Sequence, residues 1–330
     1  MNTVLFYISG HGYGHVVRMA QVIRELRQLV PGWRILARTE APAQMVPPGV
    51  ECTSAEFDAG VVESEAGVVI DEAATLERVR RLVSSWDIIV EREAGFVREN
   101  CVRLIVADIP GIAGQIAHAA GVPCMGISNF TWDWIYEPYA REYLSFLEEG
   151  YSRMEVLLRL PFAQRERLGW FRRVVDAPLI ASQTRAHAQR PRGSPIRALL
   201  ASRAQVSNEV LGAAKADAPE FEFVIPPLVI GFAETFESCD VIIAKLGFSL
   251  VAESIAGRKP VLYPPRLNFR EDEVLLVEAP QHLQMLPIPQ NDFKAGRWGH
   301  HLRQLVAMPP VTSGLRTDGA RFCAEFIAGF

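Results

Sequence analysis

Residues 3–37 read TVLFYISGHGYGHVVRMAQVIRELRQLVPGWRILA. Val4 to Ile8 is an unbroken apolar run, the pattern of a parallel strand buried on both faces. Glycines at 10, 12 and 14 then turn the chain. Met19, Val22, Ile23, Leu26, Leu29 and Val30 recur at helical spacing, with Arg18, Arg24, Glu25 and Arg27 on other faces, and Pro31-Gly32 ends the helix. Trp33 to Ala37 returns as a second strand. Such a βαβ unit implies a parallel sheet covered by helices on both sides.

The alternation continues outward from this unit. Ala41 to Glu65 is irregular, with room for one short strand, and Glu72 to Glu99 reads as one long helix. Val102 to Val106 is a strand closed by Asp108 and Pro110, Gly111 to Ala120 a helix, Val122 to Ile127 a strand and Leu179 to Ser182 a short strand. His187 to Pro195 holds two prolines and a glycine and reads as a linker. Beyond it the rhythm restarts: strand Ile196–Ala201, helix Val206–Ala216, strand Phe221–Ile225, strand Val241–Ala244, helix Leu250–Ala256 and strand Pro260–Tyr263. Val274–Met285 and Gly314–Ile327 read as closing helices. The expectation is an α/β chain of two Rossmann-like domains, residues 1–188 and 189–330, facing each other across a cleft, with the last helix packing back on the first domain.

Composition sets the outer bounds. A chain of 330 residues with 49% hydrophobic, 22% charged and 9% aromatic side chains excludes disorder, collagen-like repeats and a coiled coil. At roughly 150 residues per domain, two cores fit. The net charge of −4 provides no global basic field, so no nucleic-acid partner is expected. The five cysteines are scattered, with no C-x-x-C pair, which points to reduced thiols in a cytoplasmic protein and against a cysteine zinc site. No basic n-region with a cleavage site and no apolar run long enough to span a bilayer is present, so neither secretion nor membrane insertion is expected.

Three stretches carry chemistry. In Ser9-Gly10-His11-Gly12-Tyr13-Gly14-His15, three glycines let the backbone approach a ligand, and the helix that follows offers unpaired N–H groups. The G-x-G-x-G spacing departs from the dinucleotide G-x-G-x-x-G, which disfavours a dehydrogenase. Two histidines in one turn exceed what packing needs, and imidazole is the usual proton carrier near neutral pH. A tight turn that uses glycine for packing is the alternative.

The second stretch runs from Cys239 to Ser254. A strand ends at Ala244, Lys245-Leu246-Gly247 makes a turn, and a helix opens near Phe248-Ser249 with Ser249 as its cap. A phosphate fits that helix N-terminus, and Glu253, one turn on, is placed to accept hydrogen bonds from a ribose diol. The other reading is an ordinary capped helix with Glu253 in water. The third stretch, Pro264 to Glu273, is a proline-stiffened loop at the carboxyl end of a strand, where open α/β sheets bind ligands. Arg266, Asn268, Arg270, Glu271 and Asp272 can read sugar hydroxyls or a diphosphate there, or simply form a charged surface loop.

With these residues in view the chain resembles the GT-B glycosyltransferases. It is similar to the branch containing the lipid-II-forming N-acetylglucosaminyltransferase and the glycosyltransferase-like N-terminal part of arabinokinases. SGHGYGH resembles that branch's first turn, and CDVIIAKLGFSLVAESIAGRKPVLYPPR resembles its nucleotide-binding segment. The resemblance implies His15 as catalytic base or acceptor-positioning group, with His11 as its competitor. It implies Gly12 and Gly14 in the first loop, Lys245, Gly247, Phe248 and Ser249 around the diphosphate, Glu253 on the ribose, and Arg266, Arg270, Glu271 and Asp272 towards the donor sugar. The first turn of the second domain, Ala201 to Gln205, lacks the family's glycines, and Arg203 takes the phosphate role there.

The function so implied is transfer of a hexosyl or N-acetylhexosaminyl group from a nucleotide-diphosphate sugar, a UDP-sugar favoured, to an acceptor hydroxyl. Transfer would invert the anomeric centre and use neither metal nor cofactor, with the acceptor on the first domain and the donor on the second. The acceptor is a sugar, a lipid-linked molecule or a small molecule, with peripheral membrane contact open. A nucleotide-sugar-binding protein without turnover is the main alternative, and a sugar-nucleotide epimerase or hydrolase a further one. Asn129 to Tyr136 is either an aromatic acceptor wall or a core segment. Arg165, Arg167, Arg172 and Arg173 form either a solvated helix face or a surface for a membrane or an anionic acceptor. His282, His300 and His301 show no metal spacing.

Overall fold

Thr3–Ile8 (β1) is buried along its whole length, as a strand with neighbours on both edges and cover on both faces must be. It begins a computed structural model that describes residues 2–63, 69–182, 193–201, 206–226 and 231–330. The chain divides into two compact units. Unit 1 comprises Met1–Val62, Asp71–Ala181 and Arg316–Phe330, and unit 2 comprises Glu63–Ile70 and Ser182–Leu315.

After β1 come α1 (Gly14–Leu29), β2 (Arg34–Arg38), β3 (Glu51–Thr53), α2 (Glu72–Ser84), α3 (Trp86–Glu99), β4 (Val102–Asp108), α4 (Ile112–Ala120) and β5 (Cys124–Ser128). Next are α5 (Trp132–Tyr136), α6 (Leu144–Ser152), β6 (Val156–Arg159) and β7 (Val174–Asp176). The rest of the chain supplies β8 (Ile196–Leu200), α7 (Asn208–Asp217), β9 (Phe221–Val224), α8 (Phe232–Ser238), β10 (Val241–Ile243), α9 (Phe248–Gly257) and β11 (Val261–Tyr263). It closes with α10 (Arg270–Glu278), β12 (Met285–Pro287), α11 (Gln290–Lys294), α12 (Gly299–Ala307) and α13 (Gly319–Ala328). In unit 1, α13 lies against α1 and buries Cys323, Ala324 and Ile327.

Each unit is a parallel α/β sheet with one reversal of strand order. Unit 1 runs β3-β2-β1-β4-β5-β6-β7 and unit 2 runs β12-β11-β10-β8-β9, and every named pairing is parallel. In unit 1 the chain winds outward from β1 to β2, then restarts on the other side at β4. In unit 2 it winds from β8 to β9, then restarts at β10. At such a point the connections leave in opposite directions and open a crevice at the strands' carboxyl ends. These two places, after β1 and β4 and after β8 and β10, are where the fold offers binding sites.

Several local expectations are corrected. The single helix over Glu72–Glu99 is two, because Ser85 leaves helical geometry; the break lets Trp86 bury and donate its indole N–H to Gln115, 2.6 Å away. Val274–Met285 is not one helix. Its helix starts earlier, at Arg270, and stops at Glu278 before a short turn carrying Pro280, and Met285 opens a strand. At Leu179–Ser182 only Ile180 pairs, in a single bridge to Asp318. Of the linker reading, residues 187–192 lie outside the described residues.

The arginine segment is also not a helix. Arg167 has a left-handed φ of 59° and pairs with Asp133, Glu137 and Glu148, while Arg172 pairs with Glu155 and Arg173 lies over Phe326. Arg167, Arg172 and Arg173 thus each meet a carboxylate or a ring.

Close backbone approach holds α4, which follows β4, against α6. A Cβ on Gly114 would run into the Gly150 carbonyl oxygen, and one on Gly150 into that of Gly111. Backbone cannot yield as a flexible side chain can. Gly114→Ala should therefore destabilise the chain by about 1–3 kcal/mol, the range for overpacking. An unchanged urea midpoint would show that these helices can part at little cost.

Candidate functional site

Asp108, the last residue of β4, is fully buried, and its neighbours determine its state. Arg18 donates from Nε to Asp108 Oδ2 at 2.6 Å and from Nη2 to Oδ1. Arg18 Nη2 also donates to Ser128 Oγ at 3.1 Å, and Nη1 donates to Asn129 Oδ1 at 2.8 Å. His15 Nδ1 stands 3.0 Å from Asp108 Oδ1. Burial pushes the Asp108 carboxyl up, but the charges and hydrogen bonds of Arg18 and His15 outweigh it and hold the group below its ordinary range. Asp108 is therefore an ionised acceptor.

The hydrogen count then sets the histidine. Arg18 Nη2 is also 3.0 Å from His15 Nδ1, but an ionised Asp108 can only accept, so the hydrogen of the 3.0 Å contact between Nδ1 and Oδ1 must sit on Nδ1. Nδ1 accordingly carries the proton and donates it to Asp108, which leaves the Nε2 lone pair outside the pair. His15 and Arg18 lie three residues apart on α1, on one face of the helix.

The loop before α1 is shaped by two glycines. Gly12 sits at φ 69°, where a side chain would be strained. Gly60, at φ 61°, faces His11 so closely that a Cβ would lie 2.8 Å from the His11 Cβ. His11 Nδ1 accepts a long hydrogen bond from Val61 N–H at 3.4 Å, so its neutral ring carries the hydrogen on Nε2. In their neutral forms the two rings thus differ in tautomer: His15 carries its lone pair on Nε2, and His11 on Nδ1. Beside them Asp58 accepts from the Trp132 indole at 3.0 Å. Burial pushes its carboxyl up, against the pull of Ser9, His15 and Trp132. Trp132 is fully buried, stacks on Tyr136 and meets His11 edge-on, so the aromatic segment is core packing behind the loop.

In unit 2 the second motif follows β10. Gly247 is the cap of α9 in an extended conformation, with no side-chain cap, so Ser249 lies inside the first turn and does not cap the helix. A Cβ on Gly247 would meet nothing within 4 Å. The Phe248 side chain is buried, which leaves the residue's backbone N–H as its polar group. Glu253 accepts from Ser182 through both the backbone N–H, at 3.0 and 3.1 Å, and the hydroxyl, at 3.1 Å. The Lys245 ammonium donates to Glu63 Oε2, and Arg266 Nη1 donates to Glu63 Oε1 at 3.1 Å. Arg266 also pairs through Nε and Nη2 with Asp272 and lies over the Phe269 ring. Glu271 is 3.9 Å from Arg266, and Arg270 is the first residue of α10.

No protein-family model matches the chain. It is 26% identical over 352 aligned residues to the L-arabinokinase of Arabidopsis thaliana, an alignment that covers 94% of this chain and 32% of that one. The chain thus spans about a third of that relative's length. It superimposes on the calicheamicin glycosyltransferase CalG4 with a TM-score of 0.64 at 15% identity, covering 99% of this chain and 94% of the other. Against Arabidopsis thaliana UGT89C1, solved with UDP-L-rhamnose, the TM-score is 0.57 at 13% identity, over 99% and 93% of the two chains. The fold is GT-B.

The GT-B fold places the sequence-derived residues in two groups. His11 and Gly12 in the loop after β1, and Gly14 and His15 in the first turn of α1, lie at the reversal point of unit 1. In unit 2, Lys245, Arg266, Glu271 and Asp272 form one charged cluster around Glu63, with Gly247, Phe248, Ser249 and Glu253 along α9 and Arg270 opening α10. Arg203 lies outside the described residues. Sequence reading passed over Asp108, Ser128, Asn129, Asp58, Glu63 and Ser182 as partners. Asp108 had one available signal: a carboxylate ending the strand that restarts the sheet beside β1. Among the described residues no group of three or more His, Cys, Asp and Glu side chains is arranged to hold a metal ion. None of the helices there is long and apolar enough to cross a membrane.

Because its folded pKa is depressed, Asp108 contributes stability in full above the pKa of an unfolded aspartate, ~3.9. That contribution is lost as the pH falls through the lower folded value. Asp108→Asn leaves Arg18 buried without its charge partner and should cost about 3–5 kcal/mol at pH 7. The gap from wild type should narrow below pH ~4. Urea denaturation at several pH values checks this, and a gap that does not vary with pH would contradict it.

Proposed function

We propose that the chain is a glycosyltransferase that moves a sugar from a nucleotide-diphosphate sugar, a UDP-sugar favoured, to an acceptor hydroxyl with inversion. The observation that carries the reading is the Asp108–His15 pair at the reversal point of a GT-B unit, with Nδ1 committed to the carboxylate. UGT89C1, which shares the fold, was solved with a UDP-sugar, which supports the donor class.

In this reading His15 Nε2 takes the proton of the acceptor hydroxyl as its oxygen attacks the anomeric carbon. The new C–O bond forms opposite the bond to the diphosphate, which breaks, and single displacement inverts the centre. Asp108 stabilises the imidazolium that results, and such a positioned base is worth ~10²–10⁴-fold. His11, as an Nε2–H donor, orients the acceptor, with Gly12 and Gly14 giving it backbone access. On the donor side Glu253 takes the ribose hydroxyls. The leaving diphosphate meets the N–H groups of Gly247, Phe248 and Ser249 and the cations Lys245 and Arg266, which can carry its charge without a divalent ion. Arg270, Glu271 and Asp272 face the sugar. The five free cysteines suit a cytoplasmic setting.

The engagement of Glu253, Lys245 and Arg266 by the chain's own groups favours a second reading, a nucleotide-sugar binder without turnover. Two measurements separate them. A transferase should release nucleoside diphosphate slowly from its donor, with water in place of the acceptor. His15→Ala should lower that release by ~10²–10⁴-fold while donor affinity stays within about twofold. Binding without release over hours selects the binder, and release undiminished in His15→Ala places the base elsewhere. Glu253→Ala should weaken UDP binding by about 1–3 kcal/mol in calorimetry, and unchanged affinity removes Glu253 from the ribose.

A further inference from the structure

Glu63 is coded in the first fifth of the chain yet lies in unit 2. It is seated there by two backbone bridges: Glu63 pairs with Ile70, and Val69 pairs with Leu267 in the loop after β11. Its carboxylate spans two cations, one oxygen on the Lys245 ammonium and the other on Arg266 Nη1. Arg266 does not need it as a counter-ion, because Asp272 already takes Nε and Nη2 and Glu271 is close by. The Glu63 side chain is 18% exposed and that of Lys245 37%, against 5% for Arg266, so the Glu63–Lys245 side of the cluster is the one open to water.

A carboxylate bridging a lysine and an arginine has the charge and the two-oxygen reach of a phosphate group, and Lys245 lies in the turn that leads into α9. We propose that Glu63 is an internal competitor: it occupies the anion position between Lys245 and Arg266 that the diphosphate of the donor takes, and it is displaced when nucleotide binds. This rests on the reading of residues 245–253 as the nucleotide segment. A ligand that must displace a populated internal contact binds more weakly by the fraction of molecules in which the position is vacant. Glu63 thereby raises the donor concentration needed for occupancy and helps the nucleoside diphosphate leave after transfer.

The test is calorimetric titration of wild type and Glu63→Gln with UDP, inorganic pyrophosphate and uridine, with thermal melts as a check on folding. Glu63→Gln should bind UDP and pyrophosphate about tenfold more tightly and uridine within about twofold of wild type. Glu63→Asp keeps the charge but shortens its reach and should fall between them, which keeps the test open if the glutamine variant folds poorly. Adding Lys245→Met to Glu63→Gln should abolish the gain. UDP binding to wild type with equal or weaker binding to the Glu63 variants overturns the competitor and leaves the nucleotide reading standing. Failure of every protein to bind either UDP or pyrophosphate overturns both.

Discussion

A buried carboxylate must be balanced or it will not stay ionised, and in unit 1 the balance of Asp108 organises everything around it. Its charge is met by Arg18 and by the Nδ1–H of His15. Arg18 can make that approach only because β1 and β4 are adjacent, which brings the first turns of α1 beside the end of β4. The remaining arginine donors tie Ser128 and Asn129, at the end of β5, into the same network. One ion pair thus joins the start of α1 to the ends of β4 and β5 and fixes which nitrogen of His15 is bare in the neutral ring. A neutral residue at 108 would leave a buried guanidinium uncompensated and the imidazole free to choose its tautomer.

The same topological device recurs in unit 2 with a different cargo of side chains. There the reversal between β8 and β10 presents the extended Gly247 and the start of α9 rather than an acid–histidine pair. The groups that gather near it are cations and carboxylates in mutual contact, Lys245, Arg266, Glu63 and Asp272. One unit thus carries a histidine held by a buried acid and the other a cluster of cations and carboxylates. The common fold supplies the two positions, and the side chains make them different.

How far the sequence speaks depends on whether a feature is local. β1, α1 and β4 carry long buried runs or a clean helical period, and the glycine-rich turn after β1 sits between two of them, so that candidate loop can be read directly. β6, β7 and β12 are only 4, 3 and 3 residues long, too short for any period to show, and the break at Ser85 is driven by a tertiary demand to bury Trp86. The partners are harder still. Asp108 lies 93 residues from His15, Glu63 lies 182 from Lys245, and Ser182 lies 71 from Glu253. Apart from the carboxylate that closes β4, nothing in the local sequence marks them; their meaning comes from strand order. Ser249 shows the opposite error, since a residue well suited to capping was passed over when the chain placed Gly247 at the cap.

The central claim is that Asp108 holds His15 with Nδ1 protonated and Nε2 bare. Long-range proton–nitrogen correlation NMR on uniformly labelled protein reads this directly, with the His15 signals assigned by their loss in His15→Asn. At a pH where the ring is neutral, the account predicts a protonated Nδ1 and an unprotonated Nε2. A ring protonated at Nε2 instead, with Nδ1 accepting from Arg18, would contradict it and remove the base from the proposed chemistry.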